Sequence, residues 1–186
     1  LTSGATYSIF VRAKDLAGNS TASNTLSVTY DNAPPTVVVS TTASNPTKTS
    51  PIPVTITFSK AVTGFVSGDI LVVNGTAGNF VAVSGTVYTA SVTPTTDGTV
   101  TVGVIAGVAQ DAASNNNLAS NSLSVTYDNT PPTVVVSTTD SNPTNASPFS
   151  VTFTFSEAVT GFVVGDITVV NGTASCAIHN RDIPDH

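Results

Sequence analysis

The chain has 186 residues, of which 40% are hydrophobic and only 9% are charged, and its net charge at neutral pH is −6. Five lysine and arginine residues cannot build the clustered basic face of a nucleic-acid-binding protein, so nucleic acid is excluded as a partner. No apolar run reaches the roughly 18 residues of a membrane-spanning helix, and the hydrophobic content is too high for a disordered linker.

A long internal repeat organises the sequence. The stretch that begins at Tyr30 reads "YDNAPPTVVVSTTASNP", and 97 residues later Tyr127 begins "YDNTPPTVVVSTTDSNP". The match runs without a gap to Ala77 and Ala174, with 38 of 48 aligned positions identical. Such a period indicates tandem modules. It predicts the closing strands of one unit in residues 1–33, a complete unit in 34–130, the opening strands of a further unit in 131–175 and an atypical tail in 176–186.

The complete unit contains seven short strand signals and no convincing helical period. They fall at residues 36–42, 52–59, 69–75, 80–84, 87–94, 98–107 and 123–128. The second signal alternates apolar and polar residues, which is typical of a half-buried strand. We therefore predict an all-β fold, an antiparallel two-sheet sandwich. Its core should include Val54, Ile56, Phe58, Val102 and Val125. The inward face of the second signal holds Ile52, Val54, Ile56 and Phe58, and the equivalent positions in the next copy are Phe149, Val151, Phe153 and Phe155.

Four segments resemble a known family. They read "PPTVVVSTTASNPT", "PVTITFSKAVTGF", "GDILVVNGTA" and "AQDAASNNNLASNSLSVTYD", and they are similar to bacterial immunoglobulin-like repeats. The resemblance covers roughly residues 34–175 and implies tandem immunoglobulin-like β-sandwiches of a large secreted or surface-anchored bacterial protein, such as an adhesin. The repeat motifs specify no ligand.

Acidic residues at the unit ends suggest a metal site. In an immunoglobulin-like sandwich, Asp31 should lie near the loops that contain Asp69 and Asp111, with Asn32 and Asn115 close by. Calcium binds six to eight oxygens from carboxylates, amides and carbonyls, so the junction could hold this ion as a cofactor. Two alternatives stay open at this stage. The aspartates could form turns and caps through neighbouring backbone groups, and Lys60 could neutralise one carboxylate.

The tail is the one part of the sequence that combines cysteine and histidine with acidic residues. Cys176, His179, Asp182, Asp185 and His186 lie there, but no strand pattern or glycine-framed turn provides a scaffold for a site. We expect a disordered end, or a frameshift, fusion scar or other artefact. The repeats themselves contain no histidine and no catalytic constellation, so we expect no enzyme activity from them.

These observations favour a structural role at the bacterial cell surface. We expect a spacer or stalk whose partners are neighbouring repeats of the same chain, because the length of such an array grows with repeat number. Two alternatives remain open at this stage. One is a module that binds a carbohydrate or a host protein, and the other is an accessory repeat of a secreted hydrolase.

Overall fold

The computed structural model describes residues 1–175 and divides into two compact units, the first being Leu1–Asn129 and the second beginning at Thr130. The prediction of an all-β fold is confirmed. The first unit contains β1 (Thr6–Ile9), β2 (Arg12–Lys14), β3 (Ser20–Ala22), β4 (Leu26–Thr29), β5 (Val37–Ser40), β6 (Ile52–Phe58), β7 (Ile70–Val73), β8 (Gly75–Ala82), β9 (Val87–Pro94), β10 (Gly98–Val104) and β11 (Leu123–Tyr127). The second contains β12 (Val134–Ser137) and β13 (Thr152–Phe155).

The complete repeat is a sandwich of two antiparallel sheets. One sheet has the order β5-β6-β9-β8, and the other has the order β11-β10-β7. With the seven strands lettered A to G in chain order, these sheets are A-B-E-D and G-F-C, which is the topology of the immunoglobulin constant-type sandwich. The chain also crosses between sheets, because Thr47 forms a parallel bridge with Tyr127 beyond the end of β5.

The core lies between the two sheets. Apolar residues alternate with polar ones along β6, so Ile52, Val54, Ile56 and Phe58 all point inward and are at most 2% exposed. Phe58 packs edge-on against Phe65 and Tyr88. Val102 and Val125 are buried from the opposite sheet, as the alternation of the sequence predicted.

The sequence placed the starts of two strands inaccurately. The strand expected at residues 80–84 is β8, which begins earlier, at Gly75, and is interrupted by a bulge between Gly78 and Val81. The strand expected from residue 69 begins at Ile70, because Ser67–Asp69 forms a short 3-10 turn before β7. Local backbone hydrogen bonding determines where both strands begin, and the pattern of apolar residues carries no information about these hydrogen bonds.

The second unit repeats the opening strands of the complete repeat, β5 and β6. The strands β12 and β13 pair in the register of β5 and β6, so that Val134 lies opposite Phe155 as Val37 lies opposite Phe58. The inward positions are less covered than expected, with Phe149 and Val151 exposed by 54% and 41%. In the part of the chain that the structure describes, β13 has no partner equivalent to β9, and the prediction of buried side chains at these two positions is therefore wrong.

Candidate functional site

Lys60 connects two carboxylates at the point where residues 1–33 meet the complete repeat. Its Nζ lies 2.7 Å from Asp31 Oδ2 and 3.1 Å from Asp111 Oδ2. The same ammonium also donates a hydrogen bond to the carbonyl oxygen of Ala33. The Lys60 and Asp31 side chains are 31% and 30% exposed, whereas that of Asp111 is only 4% exposed. One cation thus fastens the chain leaving β4 to two loops of the following sandwich.

The loop of residues 111–115 holds the buried Asp111 carboxylate in position through hydrogen bonds. Asp111 Oδ1 accepts hydrogen bonds from the backbone N–H groups of Ala113 and Asn115, both at 2.9 Å. The Asn115 side chain donates to both oxygens of Asp111 and also to the carbonyl oxygen of Asp31, at 3.2 Å. Desolvation by itself would raise the pKa of Asp111, but the hydrogen bonds from Asn115, Lys60 and Ala113 lower it to about 2.

The same loop occurs near the beginning of the chain. Asp15 accepts hydrogen bonds at 2.8 Å from the side-chain and backbone nitrogens of Asn19. Both bonds lower the pKa of Asp15, and the side-chain bond lowers it more than the backbone bond does. The two loops read "DLAGN" and "DAASN", and the residue before each asparagine has a positive φ, 94° at Gly18 and 66° at Ser114. An aspartate that closes a turn onto an asparagine is therefore a recurring local structure.

Asp31 is held from both sides of the junction. Its Oδ1 accepts hydrogen bonds from the Ser3 hydroxyl at 3.1 Å and from the Ala33 backbone N–H at 3.0 Å. The pKa of Asp31 is lowered chiefly by its hydrogen bond with Lys60, and the same pair raises the pKa of Lys60. Asn32 takes part through its backbone, which donates to Ser3 Oγ at 3.1 Å.

Asp69 has a separate role. Its Oδ2 accepts the backbone N–H of Val66 at 2.8 Å and so caps the 3-10 turn that precedes β7. In the second unit Asp166 accepts the N–H of Val163 at 3.0 Å in the equivalent turn. The structure therefore brings Asp31, Asp111 and Asn115 together around an ammonium, and Asp69 has its contact elsewhere.

No group of three or more histidine, cysteine, aspartate or glutamate side chains in residues 1–175 is arranged to hold a metal ion. The oxygens of Asp31 and Asp111 face Lys60 Nζ, which supplies the positive charge between them. Calcium binding at Asp31, Asp69 and Asp111 stays a prediction, and an ion between the carboxylates of Asp31 and Asp111 would have to displace this ammonium.

The comparisons with known proteins agree with the topology. The family model described as "Bacterial Ig-like domain" matches residues 31–127 and again residues 128–182. The chain belongs to the bacterial Ig-like domain family. A search of curated proteins gave no significant match. Domains of this family are typically non-catalytic structural modules and usually occur in extracellular or surface proteins.

Within this bacterial Ig-like chain, sequence reasoning missed a set of structural asparagines. Asn117 is 2% exposed, and its amide accepts from the N–H groups of Val108 and Ala109 while donating to two carbonyl oxygens. Asn121 binds both backbone groups of Val39, accepting at 2.8 Å and donating at 3.0 Å. The one sequence signal for Asn121 is its repetition, since an asparagine stands two positions before the leucine of "LSVTYDN" at both Asn24 and Asn121.

Two further expectations concern membranes and the tail. The described residues include no helix long and apolar enough to cross a membrane. The tail lies outside the described part of the bacterial Ig-like chain, and with it the candidate residues Cys176, His179, Asp182, Asp185 and His186.

Proposed function

We propose that these bacterial Ig-like repeats form a spacer or stalk segment of a large extracellular protein, an adhesin at the bacterial cell surface. The observation that carries the proposal is the polar clamp formed by Asp31, Lys60, Asp111 and Asn115. It fixes residues 31–33, which follow β4, against two loops of the complete repeat. A spacer requires such contacts, because its reach grows with the number of units only when successive units do not fold back freely.

The proposal is tested by measuring reach against copy number. One, two and four copies of residues 34–130 are joined in tandem and labelled with dyes at both ends. Asp128 aligns with Asp31 in the repeat, so each new junction restores the aspartate that meets Lys60. We expect the distance between the dyes to grow in proportion to copy number, whereas flexibly linked units would approach square-root growth.

The matched control is Lys60→Gln in every copy. It removes the ammonium from each junction, and the side chain it alters is 31% exposed and outside the core. We expect broader distance distributions in the longer arrays with the variant. Square-root growth of the dye-to-dye distance in the array that retains Lys60 would contradict the spacer role.

One observation favours recognition of a ligand as the second candidate function. On the outer face of the three-stranded sheet, Leu71 and Val73 are 58% and 57% exposed beside Thr101 and Gly103. Exposed aliphatic side chains next to one another suit an apolar protein surface better than a carbohydrate, which usually stacks on aromatic rings. This candidate would be supported if a host protein binds the native chain saturably and does not bind the double variant that carries Leu71→Ser and Val73→Ser.

A further inference from the structure

The first and last segments of the complete repeat are joined directly to each other. Six hydrogen bonds among the described residues connect residues 35–47 with residues 118–128. We call this set the terminal seam. Its bonds are Leu118 N–H to Pro35 O at 2.9 Å, Val39 N–H to Asn121 Oδ1 at 2.8 Å, Asn121 Nδ2 to Val39 O at 3.0 Å, Thr126 N–H to Asn45 Oδ1 at 2.9 Å, Thr47 N–H to Thr126 O at 2.9 Å and Asp128 N–H to Thr47 O at 2.9 Å.

The two segments of the terminal seam run in the same direction. The partners of Pro35, Val39 and Thr47 come in the same order along the second segment, and the bridge between Thr47 and Tyr127 is parallel. The chain therefore enters the repeat at one end of the seam and leaves it at the other. Tension between these two ends acts along the segments and across their hydrogen bonds.

This direction of loading determines how the bonds fail. Bonds that lie across the line of force share the load and must break together, whereas bonds at an end that is peeled open break one after another. Asn45 and Asn121 extend the seam beyond its backbone pairs, because their side-chain amides bind backbone groups of the opposite segment. Side-chain hydrogen bonds thus connect the two segments where their backbones do not pair.

Both halves of the seam recur in the repeat. The segment "SNPT" occurs at residues 44–47 and 141–144, and "LSVTYDN" occurs at residues 26–32 and 123–129. The residues that form the seam are therefore copied with the module. The core strands β6 and β9 lie between the segments in sequence and receive tension only after the seam has opened.

We propose that the terminal seam is the force-bearing element of the repeat, which holds the sandwich closed when the array is pulled from its two ends. The proposal rests on the spacer role, because only a chain held at both ends is loaded along this direction. The rate of unfolding under force then depends on the barrier to shearing the seam, and equilibrium stability alone does not determine it.

The test compares two pulling directions on one sandwich by single-molecule force spectroscopy. The full chain is first held by handles at Leu1 and His186. It is then held at position 48 and at His186, in a chain carrying Lys48→Cys and Cys176→Ser. Lys48 is exposed and follows the last seam residue of the first segment, so this second geometry peels the seam from one end. Opening the repeat from both ends should release roughly 300 Å of chain, which identifies the event.

We expect the unfolding force in the peeling direction to fall below about half of the end-to-end value at equal loading rate. As a second measurement, Asn121→Ala removes two seam bonds and should raise the end-to-end unfolding rate at fixed force about tenfold or more. Asn116→Ala is the matched control. Its amide accepts from Gln110 Nε2 at 2.9 Å, outside the seam, and the rate should stay within about twofold of native.

Equal forces in the two directions, or end-to-end extension without a discrete event, would overturn the proposal. Equal effects of Asn121→Ala and Asn116→Ala would overturn it as well. These failures are distinct from failure of the spacer role. An array whose reach grows linearly with copy number can still lack a strong seam, and a strong seam can occur in units that do not form an extended array.

Discussion

Replacing Phe58 with alanine should remove the centre of the sandwich core. The Phe58 side chain is 2% exposed, and its ring centroid lies 5.1 Å from that of Phe65 and 5.7 Å from that of Tyr88. Burying a phenylalanine side chain contributes up to about 3 kcal/mol of transfer free energy. The cavity left among these rings adds to the loss, so we expect Phe58→Ala to lower the free energy of unfolding by about 3–5 kcal/mol.

The measurement is urea unfolding of the full chain followed by circular dichroism. A domain of this size has a total stability of about 5–15 kcal/mol, so the alanine variant could lose much of its folded population. Phe58→Leu therefore serves as a milder second variant, for which we expect a loss of about 1–2 kcal/mol.

The repeat supplies a matched control at Phe155. This residue is 97 positions after Phe58, is only half-buried and contacts Phe162 with a ring-centroid distance of 5.1 Å. Phe155→Ala lies in the second unit and should leave the transition of the first unit in place. A loss below about 1 kcal/mol for Phe58→Ala, with an unchanged dependence on urea, would refute the argument that this ring anchors the core.

The remaining predictions concern the junction and one buried amide. Lys60→Gln should lower the Tm of the first unit, because two carboxylates lose their ammonium partner. Added salt should reduce the difference in Tm between the variant and the native chain. The pKa of Asp111 is lowered from 3.8 to about 2 in the folded state, so its stabilising contribution is present above pH 3.8 and is lost as the pH falls towards 2. The urea midpoint should fall over this range in the native chain and less steeply in Asp111→Asn. If calcium binds the predicted aspartates, millimolar calcium should raise the Tm more in Lys60→Gln than in the native chain. Adding Asp69→Asn to Lys60→Gln should reduce this rise in Tm. An equal Tm with calcium and with chelator would refute the site. Asn117→Ala leaves two backbone N–H groups and two carbonyl groups without their amide partner and should cost about 2–4 kcal/mol in urea unfolding, against a change within about 0.5 kcal/mol for exposed Asn116→Ala.

The strands and the core were largely predictable from the sequence. Alternation along β6 and β10 assigns Val54, Ile56 and Val102 to the core side, because successive side chains of a strand point to opposite faces. The internal repeat supports the same assignment, since the substitutions at inward positions exchange one apolar residue for another. Exposure at Phe149 was not predictable in this way, because burial depends on whether a neighbouring strand is present and alternation reports only one strand.

The candidate site was predictable only in part. The sequence indicated that Asp31, Asp69 and Asp111 meet at the junction, and it left open whether they bind calcium, form turns or have one carboxylate neutralised by Lys60. The structure places Lys60 Nζ between them and gives Asp69 the N–H of Val66, three residues away. The next repeat has Glu157 where the complete repeat has Lys60, so the charge at this position is not a fixed property of the module.

What the sequence alone determined is the module: its period, its strands and the face that each strand buries. These properties follow from local patterns that extend over a few residues and recur with the repeat. Only the tertiary structure decided which distant groups meet, such as Lys60 with Asp111 across 51 positions and Val39 with Asn121 across 82. A hydrogen bond or ion pair between such residues depends on how the sandwich brings its loops and terminal segments together, and no local pattern encodes that arrangement.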